Sequence, residues 1–554
     1  MVGPDMSARK PNPIDKAAMK KTRGLRMFVR GTAALALLCS LPARAAEITV
    51  SGALHGVHRW YSTNVYYLDR FVYVMEGAEL HIEAGTVIKG KAGQDVNASA
   101  LIVTRGGKIF AEGTRERPII FTAEADDPSD PAALPLFERG LWGGVAIMGR
   151  APINTAINAA GNAASPKYDV FEGLPDLQVD GQYVHRFGGG DPHDSSGVLR
   201  YVSIRRAGTV FQPNRELNGL SLAGVGDGTV IEFVETFATA DDGFEFFGGT
   251  VNTKYLISAF NDDDAFDADQ GHNGKHQFWF AIQEPGRKDN GGELNGEPNE
   301  SNAGNPPVSN FQVWNATWIG AGTNTSGNRG FLIRVYSAPR FYNSIFTDFG
   351  GPAMRIADDK SGQYATNGVM EFRENLWYGF TRDPIWEDAY SALFFQTLAF
   401  SNRVVDPRLR GISRTTDGGL DPRPQPGSPA WGPSSLTPPS DGFFTPVTYR
   451  GAFGEWNWAA GWSFLSASGV LTSEGATPPG VGEPVRLEIG RSGAGLRIGF
   501  QSRPEARYQL ESRPSLTSGT WEASSEIVTG NGAKLYFDAP MQGDARYYRV
   551  RTLP

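Results

Sequence analysis

The sequence predicts an all-β protein, a right-handed parallel β-helix (solenoid) with a small C-terminal antiparallel β-sandwich domain. An acidic phrase occurs twice, as TADDGFEFFGG at 239–249 and NDDDAFDADQG at 261–271, with a constant offset of 22 residues. Short alternating runs separated by Gly, Asn and Asp fill most of the chain, and helical periodicity is nearly absent. A period of about 20 to 30 residues built from such strands is typical of a β-solenoid.

The N-terminus, residues 1–45, has the pattern of a signal peptide. The basic MKKTRGLRMFVR, the short apolar GTAALALLCSLP and the small-x-small ARA occur in that order, as in secretory signals. We expect cleavage after Ala45 or Ala46 and an exported protein, either extracellular or associated with the outer membrane or cell surface. Met1 and Met19 are alternative starts. Cys39 is preceded by Leu38, a poor fit to a lipoprotein box.

Charge and cysteine content restrict the partners. The whole chain has a net charge of −8, and the residues after 45 keep 43 basic and 58 acidic residues, a net −15, with no cysteine. This charge argues against nucleic acid and anionic lipid as partners. After the N-terminus no apolar run approaches the length of about 18 residues expected of a transmembrane helix. Stability must come from a large repetitive core or from bound ions.

Two further repeats support the solenoid. FVYVMEGAELHIEAGTVIKG (71–90) and ALIVTRGGKIFAEGTRERPIIFTA (100–123) align at an offset of 29, with Val74 on Val103 and Leu80 on Ile109. A short column then recurs around single aromatic residues, which we expect to form one internal ladder at the strand spacing of ~4.8 Å. Its members are Tyr201, Phe233, Tyr255, Phe311, Phe341 and Phe372.

Composition sets the expected boundaries. We assign residues 46–466 to the β-helix, whose C-terminal edge the aromatic run YRGAFGEWNWAAGWSFLS (449–466) would cap, 467–484 to a linker and 485–554 to a C-terminal β-domain. Two polar, Gly- and Asn-rich insertions, 150–195 and 284–307, are predicted to be long surface loops.

Several motifs, in one order over about 50–465, resemble a known family. They are FVYVMEGAELHIEAGTVIKG, GLWGGVAIMG, GGGDPHDSSGVLRYVSIRRAG, DDGFEFFGGTVNTKYL and GAFGEWNWAAGW. They are similar to bacterial exported β-helix proteins related to leptospiral outer-membrane lipoproteins. The resemblance implies a right-handed β-helix of pectin-lyase-like fold at or outside the cell surface. It implies no catalytic residue, and the missing lipid box leaves membrane anchoring open.

The doubled phrase predicts a metal site. Stacked coils would bring together seven acids: Asp241, Asp242, Glu245, Asp263, Asp264, Asp267 and Asp269. Two carboxylates ~5 Å apart repel by roughly 3 kcal/mol at an effective dielectric near 20. Calcium, which takes several carboxylate and carbonyl oxygens in a flexible geometry, would neutralise them. The alternative is that these acids accept hydrogen bonds from turn backbone and bind no metal.

The sequence favours a binding or structural role at the cell surface over an enzyme, with a glycan or a cell-surface component as the partner. The alternative is a polysaccharide lyase or glycoside hydrolase, in which the acids would act with Arg334 or Arg355. His272 and His276 are expected to be strand or surface histidines rather than metal ligands. The tryptophans at 314, 318, 456, 458 and 462 either stack on sugar or pack the core.

Overall fold

The computed structural model describes residues 45–554, except 95–96, 156–157, 159–165, 213–214, 288, 298–303, 433, 435, 478–484, 494, 504–505, 516–519, 531–532, 541–545 and 554. The predicted signal peptide therefore lies outside the described residues, apart from Ala45. No described helix is long and apolar enough to cross a membrane.

Short strands make up the N-terminal half. The first coils contain β1 Ala46–Leu54, β2 Val57–Trp60, β3 Asn64–Val74, β4 Glu79–Ile82, β5 Val87–Gly90, β6 Ala100–Val103, β7 Lys108–Glu112, β8 Ile119–Ala123 and β9 Gly144–Met148. An insertion contributes β10 Asp169–Val170, β11 Gln178–Val179, β12 Gln182–Tyr183 and β13 Arg186–Phe187. The central coils contain β14 Gly197–Arg205, the hairpin β15 Thr209–Gln212 and β16 Arg215–Leu217, then β17 Leu220–Ala223, β18 Val230–Phe237, β19 Phe244–Phe247, β20 Asn252–Ala259, β21 Phe266–Asp269, β22 Lys275–Ile282 and β23 Gly292–Asn295.

The C-terminal half adds the last coils and a separate β-domain. The last coils contain β24 Gln312–Trp314, β25 Thr317–Ile319, β26 Phe331–Arg334, β27 Arg340–Tyr342, β28 Ile345–Phe349, β29 Met354–Ile356, α1 Asp359–Thr366, β30 Glu371–Arg373, β31 Leu376–Phe380, α2 Ala389–Gln396, a 3-10 turn Leu398–Phe400 and β32 Arg403–Val404. β33 Leu409–Gly411, β34 Asp421–Pro424 and α3 Phe464–Ala467 follow. The β-domain contains β35 Leu487–Ser492, β36 Gly495–Gln501, β37 Arg507–Arg513, β38 Glu522–Ala523, β39 Val528–Thr529, β40 Lys534–Pro540 and β41 Tyr547–Leu553.

Each coil pairs in parallel with the coils before and after it, which confirms the predicted β-helix. β18 pairs with β20 and β19 with β21, so that Phe244 lies opposite Phe266 in register. The offset of 29 is also confirmed, because Val74 lies opposite Val103 and Leu80 opposite Ile109. Since successive coils repeat at the strand spacing of ~4.8 Å, identical positions in the repeat meet directly.

The core lies inside the coil and stacks as the repeat predicts. The rings of Phe244 and Phe266 are 5.4 Å apart at 12°, and Phe266 stacks on Trp279 at 4.3 Å and 5°. All three side chains are buried in one continuous apolar cluster. Gly249 and Gly271, which the two phrases align, have φ of 77° and 83°, a conformation that glycine adopts without steric cost.

The predicted single aromatic ladder is wrong. Tyr201, Phe233 and Tyr255 do stack, at 4.4 and 4.3 Å, and Phe278 continues them at 4.8 Å. Each of these four residues has φ between 49° and 60°, and each belongs to a second apolar cluster or to its edge outside the main core. A left-handed residue interrupts the in–out alternation of a strand. Phe311, Phe341 and Phe372 instead pack in the main core.

Residues 405–472, which we call the return segment, run back along the flank of the solenoid and cover this second cluster. Trp458 lies 5.3 Å from Tyr255, ring centre to ring centre, and Trp462 lies 5.6 Å from Tyr201. Arg115 near the N-terminal end of the coil stack donates to the carbonyl of Ala460 at 2.7 Å. The run 449–466 thus packs on the flank rather than on the C-terminal edge. At that edge, Phe394 of α2 packs against Phe372 of the last coils.

Residues 485–554 form two antiparallel sheets, β35–β36–β40 and β38–β37–β39 with β41, around their own small apolar cluster. The two predicted loops contain strands. β10 to β13 lie in the first insertion, and β23 in the second is a regular solenoid strand that pairs with β21. The sequence missed β23 because its core position is Gly292, and because four extra residues precede it in the repeat.

Candidate metal centre

The turn before β19, β21 and β23 carries a ladder of side-chain oxygens. The backbone N–H of Asp242 donates to Oδ1 of Asn218 at 3.2 Å, that of Asp264 to Oδ1 of Asp242 at 2.9 Å, and that of Asn290 to Oδ1 of Asp264 at 2.5 Å. Arg329 closes the series with a bond of 3.1 Å to Oδ1 of Asn290. Four successive coils therefore place an Asn or Asp at one position, and each side chain holds the next coil.

Two further carboxylates in each coil flank this ladder. Because Phe244, Phe266 and Gly292 are in register, Asp241, Asp263 and Asp289 occupy one position of the repeat, three residues before. Glu245, Asp267 and Glu293 occupy another, directly paired in the sheet. The acidic row comprises these two sets and the two ladder aspartates: Asp241, Asp242, Glu245, Asp263, Asp264, Asp267, Asp289 and Glu293.

Within the acidic row, three groups of carboxylates each bring one oxygen per residue within 4.8 Å of the others. They are Asp241 with Asp242 and Asp263, Asp242 with Glu245 and Asp267, and Asp263 with Asp264 and Asp289. The structure thus brings together six of the seven predicted ligands. Asp269 lies at the other end of β21, outside these groups.

Burial and mutual repulsion raise the pKa of these carboxyls. The pKa values of Asp242, Glu245, Asp264 and Asp267 lie well above their usual range, mainly because the side chains are desolvated and then because neighbouring carboxylates repel. Burial, with Asp289 next in effect, raises the pKa of Asp263 to about 7. Burial also raises the pKa of Asp269 to about 7. At neutral pH such a set holds protons or a cation.

The central group has the strongest sign of an unmet ligand. Glu245 accepts a bond from the side-chain amide of Asn218, whereas Oδ1 of Asp267 is buried and accepts no hydrogen bond from any described residue. A buried acceptor without a partner costs about 1–3 kcal/mol. A divalent cation among Asp242, Glu245 and Asp267 would meet this oxygen, so the residues present fit a metal.

The sequence missed three acids that act on this site. Asp289 and Glu293 lie in the third coil, inside the segment predicted to be a loop, and Glu172 comes from the first insertion, where it raises the pKa of Glu245. The DNGGELN stretch at 289–295 repeats the acidic pattern at an offset of 26 instead of 22, which was the available signal. Arg334 forms an ion pair with Glu293, whereas Arg355 lies 3.7 Å from Glu387 and outside the acidic row.

The two histidines are neither exposed nor metal-ligating in the described structure. His272 and His276 are buried in the core, with their Nε2 atoms 2.9 Å apart. Nδ1 of His272 lies 3.0 Å from the carbonyl of Gly248, and Nδ1 of His276 lies 2.9 Å from Oγ1 of Thr253. A neutral pair satisfies every one of these contacts, because the carbonyl fixes the tautomer of His272. Burial lowers the pKa of both rings.

The five tryptophans considered as sugar platforms are all buried. Trp314, Trp318, Trp456, Trp458 and Trp462 have at most 4% of their surface exposed, which leaves no face for a ligand. Their packing alternative is the one observed.

The fold and the site define a class, a parallel β-helix protein with carboxylates stacked along one edge of the coil. The family model described as "Pectate-lyase like beta helix domain" matches residues 52–383. The match covers more than half of the chain, and the chain belongs to this family.

The other comparisons add little. The enzymatically active domain of tailspike protein 2 from bacteriophage CBA120 is similar with a TM-score of 0.21 and 10% sequence identity, over 87% of this chain and 68% of that chain. A TM-score this low supports no inference about fold or function. No curated protein matches the sequence.

Proposed function

We propose that the protein is an exported β-helix protein that binds calcium at the acidic row and serves a binding or structural role outside the cell, toward a glycan or a cell-surface component. The unpartnered, buried Oδ1 of Asp267 within the group of Asp242 and Glu245 carries the calcium proposal. An ion there would bridge two successive coils and neutralise carboxylates that otherwise repel.

Calcium suits the site better than magnesium. The donors are carboxylate oxygens from consecutive coils, and calcium accepts six to eight oxygens in a flexible geometry, whereas magnesium demands a tight octahedron. A cation that binds only the folded chain stabilises it by RT ln(1 + [L]/Kd), ~2.7 kcal/mol at a hundredfold excess over Kd.

Calorimetric titration and thermal unfolding test this proposal. We expect chelator to lower the melting temperature, millimolar calcium to restore it, and magnesium to restore it poorly. The double variant Glu245→Gln with Asp267→Asn should abolish both the heat of binding and the thermal response. Glu522→Gln, an exposed carboxylate in the β-domain, is the control and should respond like the wild type. A wild-type melting curve identical in chelator and calcium would leave the acids as turn-capping groups only.

Export rests on the N-terminal pattern. Expression in a bacterial host with fractionation should place the protein outside the cytoplasm, and N-terminal sequencing should begin at Ala46 or Glu47. Recovery of an uncleaved chain from the cytoplasm, or of a lipid-modified Cys39, would contradict this assignment.

A glycan-cleaving activity is the second candidate. Carboxyls whose pKa is about 7, at Asp263 and Asp269, suit general acid–base chemistry at neutral pH, and Arg334 lies beside Glu293. Incubation with a panel of uronic-acid polymers and neutral polysaccharides tests it, read by the absorbance of unsaturated uronates and by released reducing ends. Activity that is absent on every polymer in calcium would reject this candidate while leaving the calcium proposal untouched.

A further inference from the structure

A second concave site lies on the solenoid between the last coils and the return segment. It is an open cleft of about 530 Å³, within the size range of small-ligand pockets. Its chemically distinctive lining residues are Tyr378, Asp348, Asp406, Arg408, Arg414 and Gln425. None of them belongs to the acidic row.

The wall formed by the return segment is fixed to the coils. Arg414 donates to the carbonyl of Gln283 at 3.0 Å, to the carbonyl of Gly320, and to Oδ2 of Asp348 at 2.7 Å. One guanidinium therefore ties the segment to three successive coils. β33 and β34 brace it further, because the amide of Gln425 donates to the carbonyl of Leu409 at 2.9 Å. A cleft held in this way is largely preformed, which reduces the ordering cost of binding.

The floor presents an aromatic ring to solvent. Tyr378 lies on β31, opposite Thr347 of β28, and 46% of its surface is exposed. It makes no ring contact, hydrogen bond or ion pair with any part of the chain that the structure describes. The next residue, Gly379, has φ of 69°, and an added Cβ there would lie 3.2 Å from the backbone nitrogen of Asp348. Close packing of the backbone at that point keeps the floor beside the ring open.

The polar lining is balanced in charge. Asp348 neutralises Arg414, and the exposed pair Asp406 and Arg408 supplies one carboxylate and one guanidinium. Oδ1 of Asp406 accepts from the backbone N–H of Arg408 at 2.7 Å, and Nη1 of Arg408 donates to the carbonyl of Gly427 at 3.1 Å. Each group retains hydrogen-bonding positions for a ligand. In a chain of net charge −8, a charge-balanced cleft gives an anionic ligand no electrostatic advantage.

We propose that this cleft binds a neutral oligosaccharide. The C–H face of a pyranose would pack on the ring of Tyr378, since an aromatic ring offers an apolar surface of matching size with a polar tip. The carboxylate of Asp406 and the guanidinium of Arg408 would take vicinal hydroxyl groups as acceptor and donor. The proposal names a ligand class at a site separate from the proposed cation site.

Calorimetric titration with the hexasaccharides of cellulose, starch, mannan and polygalacturonate tests it. We expect at least one neutral hexasaccharide to bind, and Tyr378→Ala to weaken that binding by about tenfold or more. Arg408→Ala should weaken the same ligand. Tyr61→Ala, at a tyrosine of similar exposure (51%) in the first coils, is the matched control and should leave affinity unchanged.

Four outcomes overturn the proposal: no neutral hexasaccharide binds, polygalacturonate alone binds, Tyr378→Ala binds like the wild type, or the Tyr61 control loses binding equally. Unchanged melting temperatures for Tyr378→Ala and Arg408→Ala would exclude misfolding as the cause of a loss. Chelator should not alter the affinity, so failure here and failure of calcium binding at the acidic row are distinguishable.

Discussion

The backbone N–H of Asp264 donates a 2.9 Å hydrogen bond to Oδ1 of Asp242, one coil earlier. One carboxylate oxygen thus performs a structural task while its neighbours in the acidic row supply charge. Capping and metal binding, which the sequence left as alternatives, are compatible at one residue because a carboxylate has two oxygens.

Substitution of Asp264 separates the two tasks. In chelator we expect Asp264→Asn to raise the free energy of unfolding, because the amide oxygen still accepts from the backbone of Asn290 while one buried charge is removed. Asp264→Ala should lower it by roughly 1–3 kcal/mol, because that N–H loses its acceptor. Both variants should respond less to calcium than the wild type. Urea unfolding in chelator and in calcium measures this, and equal destabilisation by Asn and Ala would contradict it.

Metal-free protein should lose stability as pH rises. The pKa of Asp263 is raised to about 7 by burial and then by Asp289, so the folded state holds a proton that the unfolded chain releases near pH 4. Between about pH 4 and pH 7 the unfolded state binds fewer protons, and stability therefore falls with rising pH. Urea unfolding in chelator across this range measures the trend.

Calcium should reverse part of this trend, because its ligands must be deprotonated. The difference in unfolding free energy between calcium and chelator should grow as pH rises through about 7. The comparison at each single pH also cancels the opposite contribution of the buried histidines. A calcium effect independent of pH would contradict the involvement of these carboxyls.

The histidine pair should resist protonation. Burial lowers the pKa of His272 to about 4, whereas the bond from Asp227 raises the pKa of the exposed His193 above its usual value. NMR titration of the ring resonances should show His193 titrating first on acidification and His272 last. Because unfolded histidine protonates near pH 6.5, the pair lowers stability as pH falls from there toward 4. A titration of His272 near 6.5 would contradict the buried, neutral pair.

Glu235 should hold the return segment on the flank. It is fully buried and accepts from the backbone N–H groups of Phe464 at 2.6 Å and Leu465 at 2.9 Å. Glu235→Ala should cost roughly 3–5 kcal/mol, because it also leaves the buried Arg205 without its opposite charge, and should expose the segment to limited proteolysis.

Glu232 on the same strand provides the control. It is partly exposed and pairs with Arg200 at 3.2 Å, so Glu232→Ala should cost no more than about 1 kcal/mol and leave the cleavage pattern unchanged. Equal cleavage of the two variants would show that Glu235 does not anchor the segment.

The sequence by itself determined the solenoid and most of the acidic row. A coil of constant length translates each position onto its equivalent, so the offset of 22 residues was enough to place Asp242 below Asp264 and Phe244 below Phe266. No long-range information was required, because the partner of each residue is one period away.

Only the tertiary structure decided the rest. Asp289 and Glu293 joined the row because the coil before β23 is four residues longer, and a period broken by an insertion hides its own continuation. Tyr201 and its stacked partners face outward because their backbone is left-handed, a conformation that aromatic residues do not signal. The return segment covers them through contacts such as Glu235 with Phe464, more than 200 residues apart, which no local pattern encodes.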